Sequence, residues 1–296
     1  MKIVIAGASG FIGTELVAQL LTAGHTVIRL VRRAPQSADE RSWDPASGQL
    51  DSTIMDEADA VVNLSGASLT RLPWTRPYKR IILQSRLAAT STLTDAIIRS
   101  RNPPEVFVSG SAVGFYGDRP GEILSERSAM GTGFLGQVVD AWEHAAAPAN
   151  AVSRVVNPRT GVVIGNSGAL KPLMLLTRLG LAGPLGDGTQ YWPWISLHDE
   201  AAAIVHLVTA SSLRGAVNLS GPNPTTSGDI TRMLATELGR PYWLSAPKWA
   251  IRAALATAGT ELLLADQNVS SELLSADGFQ FRHPTAIQAI RATLSQ

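Results

Sequence analysis

The chain opens with a five-residue apolar run, Lys2-Ile-Val-Ile-Ala6, that stops at Gly7. Gly10 and Gly13 follow, and from Phe11 to Ala23 apolar residues (Ile12, Leu16, Val17, Leu20, Leu21) recur at helical spacing until Gly24 supplies a C-cap. A buried strand, a turn built on three glycines and a helix, in that order, leave few folds open. Gly7 lets the chain turn sharply and Gly10 lets a ligand approach the backbone. Gly13 permits close packing of helix on strand, while the helix N-terminus offers unpaired N–H groups to an anion. A glycine triplet alone is weak, because an ordinary strand-to-helix turn carries one too. With the strand before it and the capped helix after it, the triplet reads as a cradle for the pyrophosphate of a dinucleotide. Gly7, Ser9, Gly10, Phe11, Ile12 and Gly13 would line that cradle.

Strand and helix signals continue to alternate. Thr26–Val31 and Ala60–Leu64 are apolar runs, Ser85–Ser100 reads as an amphipathic helix, and Glu105–Ser109 is a strand entered through Pro103-Pro104. Gly133–Ala147 reads as a helix, Ser153–Asn157 as a strand ended by Pro158, and Val162–Ile164 as a short strand. Near-continuous apolar strands between helices argue for a parallel sheet covered on both faces. The fold class expected is therefore α/β, a Rossmann-type doubly wound parallel sheet with a smaller mixed C-terminal substrate region. Glycines and prolines cluster after about residue 165, with helix signals at 200–211, 226–238, 249–266 and 285–294. This places a cofactor domain at 1–165 and a substrate region at 166–296.

Composition narrows the partners. The 25 basic and 24 acidic residues give a net charge of +1 with no basic stripe, so nucleic acid is not expected. There is no cysteine, and the five histidines show no metal-ligand spacing, so no metal site is expected. No segment approaches the roughly eighteen apolar residues of a membrane span, and the N-terminus lacks the pattern of a secretory leader. A cytoplasmic protein with a small-molecule substrate and no membrane partner is the expectation.

The end of the second strand bears on which dinucleotide binds. A carboxylate there would hold the ribose hydroxyls of NAD(H), whereas arginine accommodates the 2′-phosphate of NADP(H). The residues are Leu30-Val31-Arg32-Arg33, with no carboxylate before Asp39. An arginine fork suits a phosphate, so Arg32 and Arg33 favour NADP(H) over NAD(H), the alternative being solvated surface charges.

The glycine spacing resembles that of the extended short-chain dehydrogenase/reductase superfamily. More closely, the chain is similar to an atypical "epimerase family protein" group, which joins an NAD-dependent epimerase/dehydratase domain to a C-terminal domain of unknown function. The similarity rests on Trp43-Asp-Pro45, Val62-Asn-Leu-Ser-Gly66, Trp74-Thr75 with Lys79, Ser85-Arg86 and Ser109-Gly-Ser-Ala-Val-Gly-Phe-Tyr-Gly-Asp118. It continues through Arg159-Thr-Gly-Val162, Gly183-Pro-Leu-Gly-Asp-Gly188, Trp194-Ile195, Leu238-Gly-Arg-Pro241 and Gly278-Phe-Gln-Phe281. The resemblance implies a terminal domain at about 246–294. It also implies cofactor contacts at Leu64, Ser65, Gly66 and Arg86, and nicotinamide-side contacts at Ser109, Gly110, Asn157, Pro158 and Arg159.

The superfamily's Tyr-x-x-x-Lys is missing. Its helix reads Phe134-Leu-Gly-Gln-Val138, and none of Tyr78, Tyr116, Tyr191 and Tyr242 has a lysine four residues on. A phenol titrates near 10 without a cation beside it, so the usual proton shuttle is absent. Tyr116, just past a strand end, is the catalytic candidate, against a reading as a packed aromatic. Trp74, Lys79, Trp192 and Trp194 are candidates for the substrate mouth, the indoles as flat apolar walls and Lys79, with Arg159, as a partner for an anionic group. Packing and solvated charge are the competing readings. Glu126 and Asp118 are weaker candidates for a base, and the adjacent His198-Asp199 reads as structural. Two functions stay open: an NADP(H)-dependent oxidoreductase or epimerase-like enzyme, and a non-catalytic NADP(H) sensor.

Overall fold

The structure, a computed structural model, describes residues 1–168 and 170–295. Its main sheet runs Gly215–Leu219, Arg154–Thr160, Val106–Ser109, Ala60–Asn63, Lys2–Ala6, Thr26–Val31 and Glu40–Ser42, every neighbouring pair parallel. The short strand Ser111–Ala112 lies beside the end of Arg154–Thr160. Strand order reverses at Lys2–Ala6, which pairs with Thr26–Val31 on one side and Ala60–Asn63 on the other. A crevice therefore opens at the carboxyl ends of Lys2–Ala6 and Ala60–Asn63, the switch point of a doubly wound sheet.

Alternation along each strand divides the apolar residues between two layers. Ile3, Ile5, Val62 and Val108 pack with Leu16, Leu20, Ile204 and Leu207, from the helices Phe11–Thr22 and Leu197–Thr209. Val4, Ala6, Val61 and Phe107 face the other way, onto Leu93 and Ile97 of the helix Arg76–Arg99. Full burial stabilises each such Ile, Leu or Val by roughly 1.5–3 kcal/mol, which fixes the register of the sheet. A third core, with Ile164, Leu170, Trp192, Trp194, Ile230 and Ile290, belongs to the second half.

Three departures from the sequence reading matter for the site. The helix expected from Ser85 begins at Arg76, because Thr75 caps it, accepting from the Tyr78 N–H at 3.3 Å, with Pro77 in its first turn. The strand expected to end at Pro158 runs on to Thr160. Its pairing with Val106–Ser109 stops at Val156 and resumes at Arg159 with Ser111, so Pro158 lies level with an interrupted ladder that tolerates a missing N–H. The expected boundary at residue 165 does not divide the layers. The helix Leu197–Thr209 and the strand Gly215–Leu219 come from the second half, yet they complete the first sheet and its cover.

Candidate cofactor crevice

The glycine loop crosses from the first strand to the first helix against the end of Ala60–Asn63. Gly7 adopts φ +87°, and a Cβ there would sit 2.8 Å from the carbonyl carbon of Leu64. A Cβ on Gly13 would collide with the carbonyl oxygen of Gly7. The Leu64 N–H donates to the Ala6 carbonyl at 2.8 Å and the Gly10 N–H to that of Gly7 at 3.0 Å, which closes the turn. Gly10 is the N-cap of Phe11–Thr22 and brings no side chain to satisfy the first N–H groups. Ser9 and Gly10 are exposed, and Phe11 and Ile12 half-buried, beside that helix end.

Arg32 and Arg33 part company at the end of the second strand. Arg33 grips the buried Glu40 with both terminal nitrogens, each at 2.7 Å. That fork, with the Gln36 N–H, holds the Glu40 carboxyl down to about 2. Arg32 is exposed and has no side-chain partner among the described residues.

Behind the crevice lies a buried polar cluster. Asn63 donates from Nδ2 to Thr90 Oγ1 at 2.9 Å, Trp142 Nε1 donates to the same oxygen at 2.9 Å, and Asn63 Oδ1 accepts from the Ser65 N–H at 3.0 Å. Asn63 thereby shapes the Leu64–Gly66 turn. Arg86 is buried beside Gly66, with Nη1 donating to the carbonyls of Ala67 at 3.1 Å and Ile82 at 3.0 Å and its guanidinium 5.0 Å from the Trp142 ring centre. Burial pushes it down only to about 10, so it stays charged at neutral pH, and no carboxylate pairs with it among the described residues. A buried cation without an anion is costly, and a ligand phosphate would relieve it.

At the far end, residues from neighbouring strands meet a helix and a turn. Asn157 Nδ2 donates to the Ser109 carbonyl at 3.3 Å, and the Ser109 hydroxyl is buried with no partner. Ser111 Oγ donates to Glu143 Oε1 at 2.5 Å. Arg159 clasps Glu143 through Nε and Nη2, both at 2.9 Å, and donates from Nη1 to the Tyr116 oxygen at 3.0 Å. The Tyr116 hydroxyl in turn donates to Asn218 Oδ1 at 2.6 Å. Tyr116 is fully buried, and that burial raises its pKa, with Arg159 opposing, so it is a neutral phenol at pH 7. Glu143 and Asn218 carry this network; Glu143 has no signal in the sequence, whereas Asn218 stands with Pro222-Asn-Pro224 among the stretches that carry the family resemblance. Glu126 accepts from the Asn218 N–H at 2.9 Å and Asp118 from that of Asp266 at 2.8 Å, both as loop fasteners.

The helix that would carry Tyr-x-x-x-Lys is Phe134–Ala146, and its first turn is covered from the C-terminal region. Glu261 accepts from the N–H groups of Phe134 at 2.9 Å and Leu135 at 2.7 Å. Val138 packs in an apolar cluster with Trp74, Tyr78, Leu135 and Ala258, with Phe134 against it. Trp74 and Lys79, candidates for a substrate mouth, are both engaged by other parts of the protein. Trp74 is buried, bonded through Nε1 to the Leu69 carbonyl, and Lys79 donates to Thr257 Oγ1 at 2.8 Å with its ammonium 5.0 Å from the Phe134 ring centre. Trp192 and Trp194 are likewise core residues, their N–H groups taken by the carbonyls of Leu263 and Asn223. Indoles fill a core well wherever the N–H finds an acceptor. His198 and Asp199 start the helix Leu197–Thr209, not a strand, and the buried Asp199 accepts from the Arg282 and His283 N–H groups.

Residues 3–220 match the NAD dependent epimerase/dehydratase family, and residues 246–293 match a domain of unknown function (DUF1731). The chain belongs to the NAD dependent epimerase/dehydratase family. An epimerase family protein of Mycobacterium leprae is 38% identical over 290 residues, covering 97% of this chain and 94% of the relative. The human epimerase family protein SDR39U1, whose crystal structure contains NADPH, superposes with a TM-score of 0.91 at 30% identity over 100% of both chains. A nucleoside-diphosphate sugar epimerase from Corynebacterium glutamicum gives 0.82 at 34% identity, over 99% of this chain and 58% of that one. These likenesses support the α/β Rossmann-type architecture described above.

Proposed function

We propose that this family member binds NADP(H) along the crevice and acts as an oxidoreductase or epimerase-like enzyme on a small substrate, without the superfamily's Tyr/Lys pair. The observation that carries the proposal is the backbone cradle at Gly7–Gly13 with the unpaired, buried Arg86 beside it. The NADPH of the human relative's crystal structure supports the choice of cofactor. In this reading the helix N-terminus after Ser9 and Gly10, with Phe11 and Ile12, takes the pyrophosphate, and Arg32 takes the 2′-phosphate. Arg33, committed to Glu40, lends only its flat face to the adenine side. Leu64, Ser65, Gly66 and Arg86 flank the sugar-phosphate, and Ser109, Gly110, Asn157, Pro158 and Arg159 flank the nicotinamide.

The bound cofactor supplies hydride chemistry, and the chain supplies position and polarity. Arg159, held rigid by Glu143, keeps the Tyr116 phenol aimed, and Tyr116 exchanges its Asn218 acceptor for a substrate oxygen. The parts of residues 166–296 outside the main sheet and its cover form the substrate region in this proposal, and the location is cytoplasmic. The test follows NADPH absorbance with a panel of carbonyl compounds and nucleotide sugars. Turnover that Tyr116→Phe abolishes supports the enzyme.

A second reading, a non-catalytic NADP(H) sensor, draws support from the sealed Phe134–Val138 turn under Glu261. Tight NADPH binding without turnover on any panel member, together with a captured protein partner, selects it. Absence of any nicotinamide nucleotide binding in calorimetry defeats both.

A further inference from the structure

We propose that the face formed by the helix Leu170–Arg178, the turn after it and the segment 239–252 adsorbs to an anionic lipid surface. This helix is apolar on two sides. Leu170, Met174 and Thr177 are buried, while Leu175 and Leu179 point outward, 59% and 65% exposed. Trp243 and Trp249 are 65% and 73% exposed, and Leu181 and Leu244 are exposed too.

Hydrogen bonds join these side chains into one surface. Trp243 Nε1 donates to the Gly180 carbonyl at 3.1 Å, and the N–H groups of Trp243 and Leu244 both donate to that of Ala182, at 2.9 and 3.0 Å. An ion pair of 2.7 Å from Lys248 to Asp187 ties the start of the helix Lys248–Leu262, and with it Trp249, to the next turn of the same segment, where the Gly186 N–H donates to the Ala246 carbonyl at 2.8 Å.

Charge selects the occupant. Residues 170–186 and 239–260 contain Lys171, Arg178, Arg240, Lys248 and Arg252 and no Asp or Glu, in a chain whose net charge is only +1. Lys171, Arg178, Arg240 and Arg252 are exposed and make no ion pair among the described residues. Outward leucines and tryptophans edged by unpaired cations are the pattern of a helix face lying in the headgroup layer, where anionic lipids attract the cations and the rings sit at the apolar boundary. A second copy would bring the same cations together, which repels. No helix among the described residues is long and apolar enough to cross a membrane. The expectation of no membrane partner came from that missing span, which does not bear on surface adsorption.

The test is co-sedimentation of the full chain with phosphatidylcholine vesicles, with and without phosphatidylglycerol. The protein is expected to pellet with the anionic vesicles, to be released by high salt, and to stay in solution with phosphatidylcholine alone. Arg178→Glu with Arg240→Glu is expected to weaken binding about tenfold or more. Trp249→Ser is expected to weaken it too, with thermal midpoint and NADPH affinity unchanged in both variants. No pelleting with either vesicle overturns the proposal, as does pelleting that neither variant alters. Light scattering that finds a dimer dissolved by Trp249→Ser also overturns it, in favour of a second copy.

Discussion

At the Gly7 end of the crevice a ligand would meet backbone: a positive-φ turn, a bare helix N-terminus and the Leu64–Gly66 turn. At the Ser111 end it would meet side chains drawn from five separate elements, with Ser111, Glu143, Arg159, Tyr116 and Asn218 joined in one chain of hydrogen bonds. The first end is preformed because glycines leave room and the turn satisfies itself. The second is preformed because the Glu143–Arg159 pair fixes the hydroxyls of Ser111 and Tyr116. In this chain the Tyr116 phenol is held between Arg159 and Asn218, with no lysine four residues on.

The largest expected effect breaks the second end. Arg159→Leu would leave Glu143 without its cation and Tyr116 without a donor, and a loss of about 3–5 kcal/mol in denaturant unfolding is expected. A small loss would show that the network is not what holds this end together.

Next in size is a pH effect on the same strand. Glu200 is fully buried, accepts from Thr160 Oγ1 at 2.6 Å through one oxygen, and has no partner on the other. Burial pushes it up to about 8 from an ordinary 4.5. Between those values the folded chain keeps a proton that the unfolded chain has released, so stability is full below about 4.5 and is lost as pH rises through about 8. Glu200→Gln is expected to flatten that decline. Melting at pH 5 should be nearly unchanged, and at pH 9 the variant should gain on the order of a few kcal/mol. A decline of equal size in both proteins would remove Glu200 as its source.

The open end is sharpened by cofactor preference. Arg32→Ala is expected to weaken NADPH about tenfold or more in calorimetry while leaving NADH nearly unchanged, because a charged hydrogen bond to the 2′-phosphate is lost. Arg33→Ala frees Glu40 instead and should weaken both nucleotides together. Equal losses from Arg32→Ala would take away the case for NADP(H).

The smallest effect concerns the seal. Glu261→Gln keeps the shape but removes a charge from the start of Phe134–Ala146, for an expected cost of about 0.5–1 kcal/mol in thermal unfolding. No change would mean that packing of Val138 and Ala258 alone holds the C-terminal region on that helix.

Local signals were read well. Lys2–Ala6 and Thr26–Val31 stand where the apolar runs put them, and the helix Phe11–Thr22 ends one residue before its expected last turn residue, at the C-cap Ala23. The start of Arg76–Arg99, nine residues before the expected Ser85, is also written locally, in the Thr75 cap and Pro77. Trp74, Trp192 and Trp194, all buried, are a different case. A tryptophan's type says that it wants apolar cover and one acceptor, and it does not say whether a ligand or the protein provides them.

The amino-acid order determined the alternation of apolar strands and helices, the glycine turn after the first strand and the loss of the Tyr/Lys pair, because each depends on residues within one turn or one element of each other. Tertiary structure decided the rest. Only the folded chain divides Arg32 from Arg33 through Glu40, strands Arg86 without an anion, and brings Glu143, Arg159 and Asn218 to Tyr116 from positions up to 102 residues apart. Such contacts are set by how layers pack, and packing energy depends on neighbours in space that no local pattern encodes.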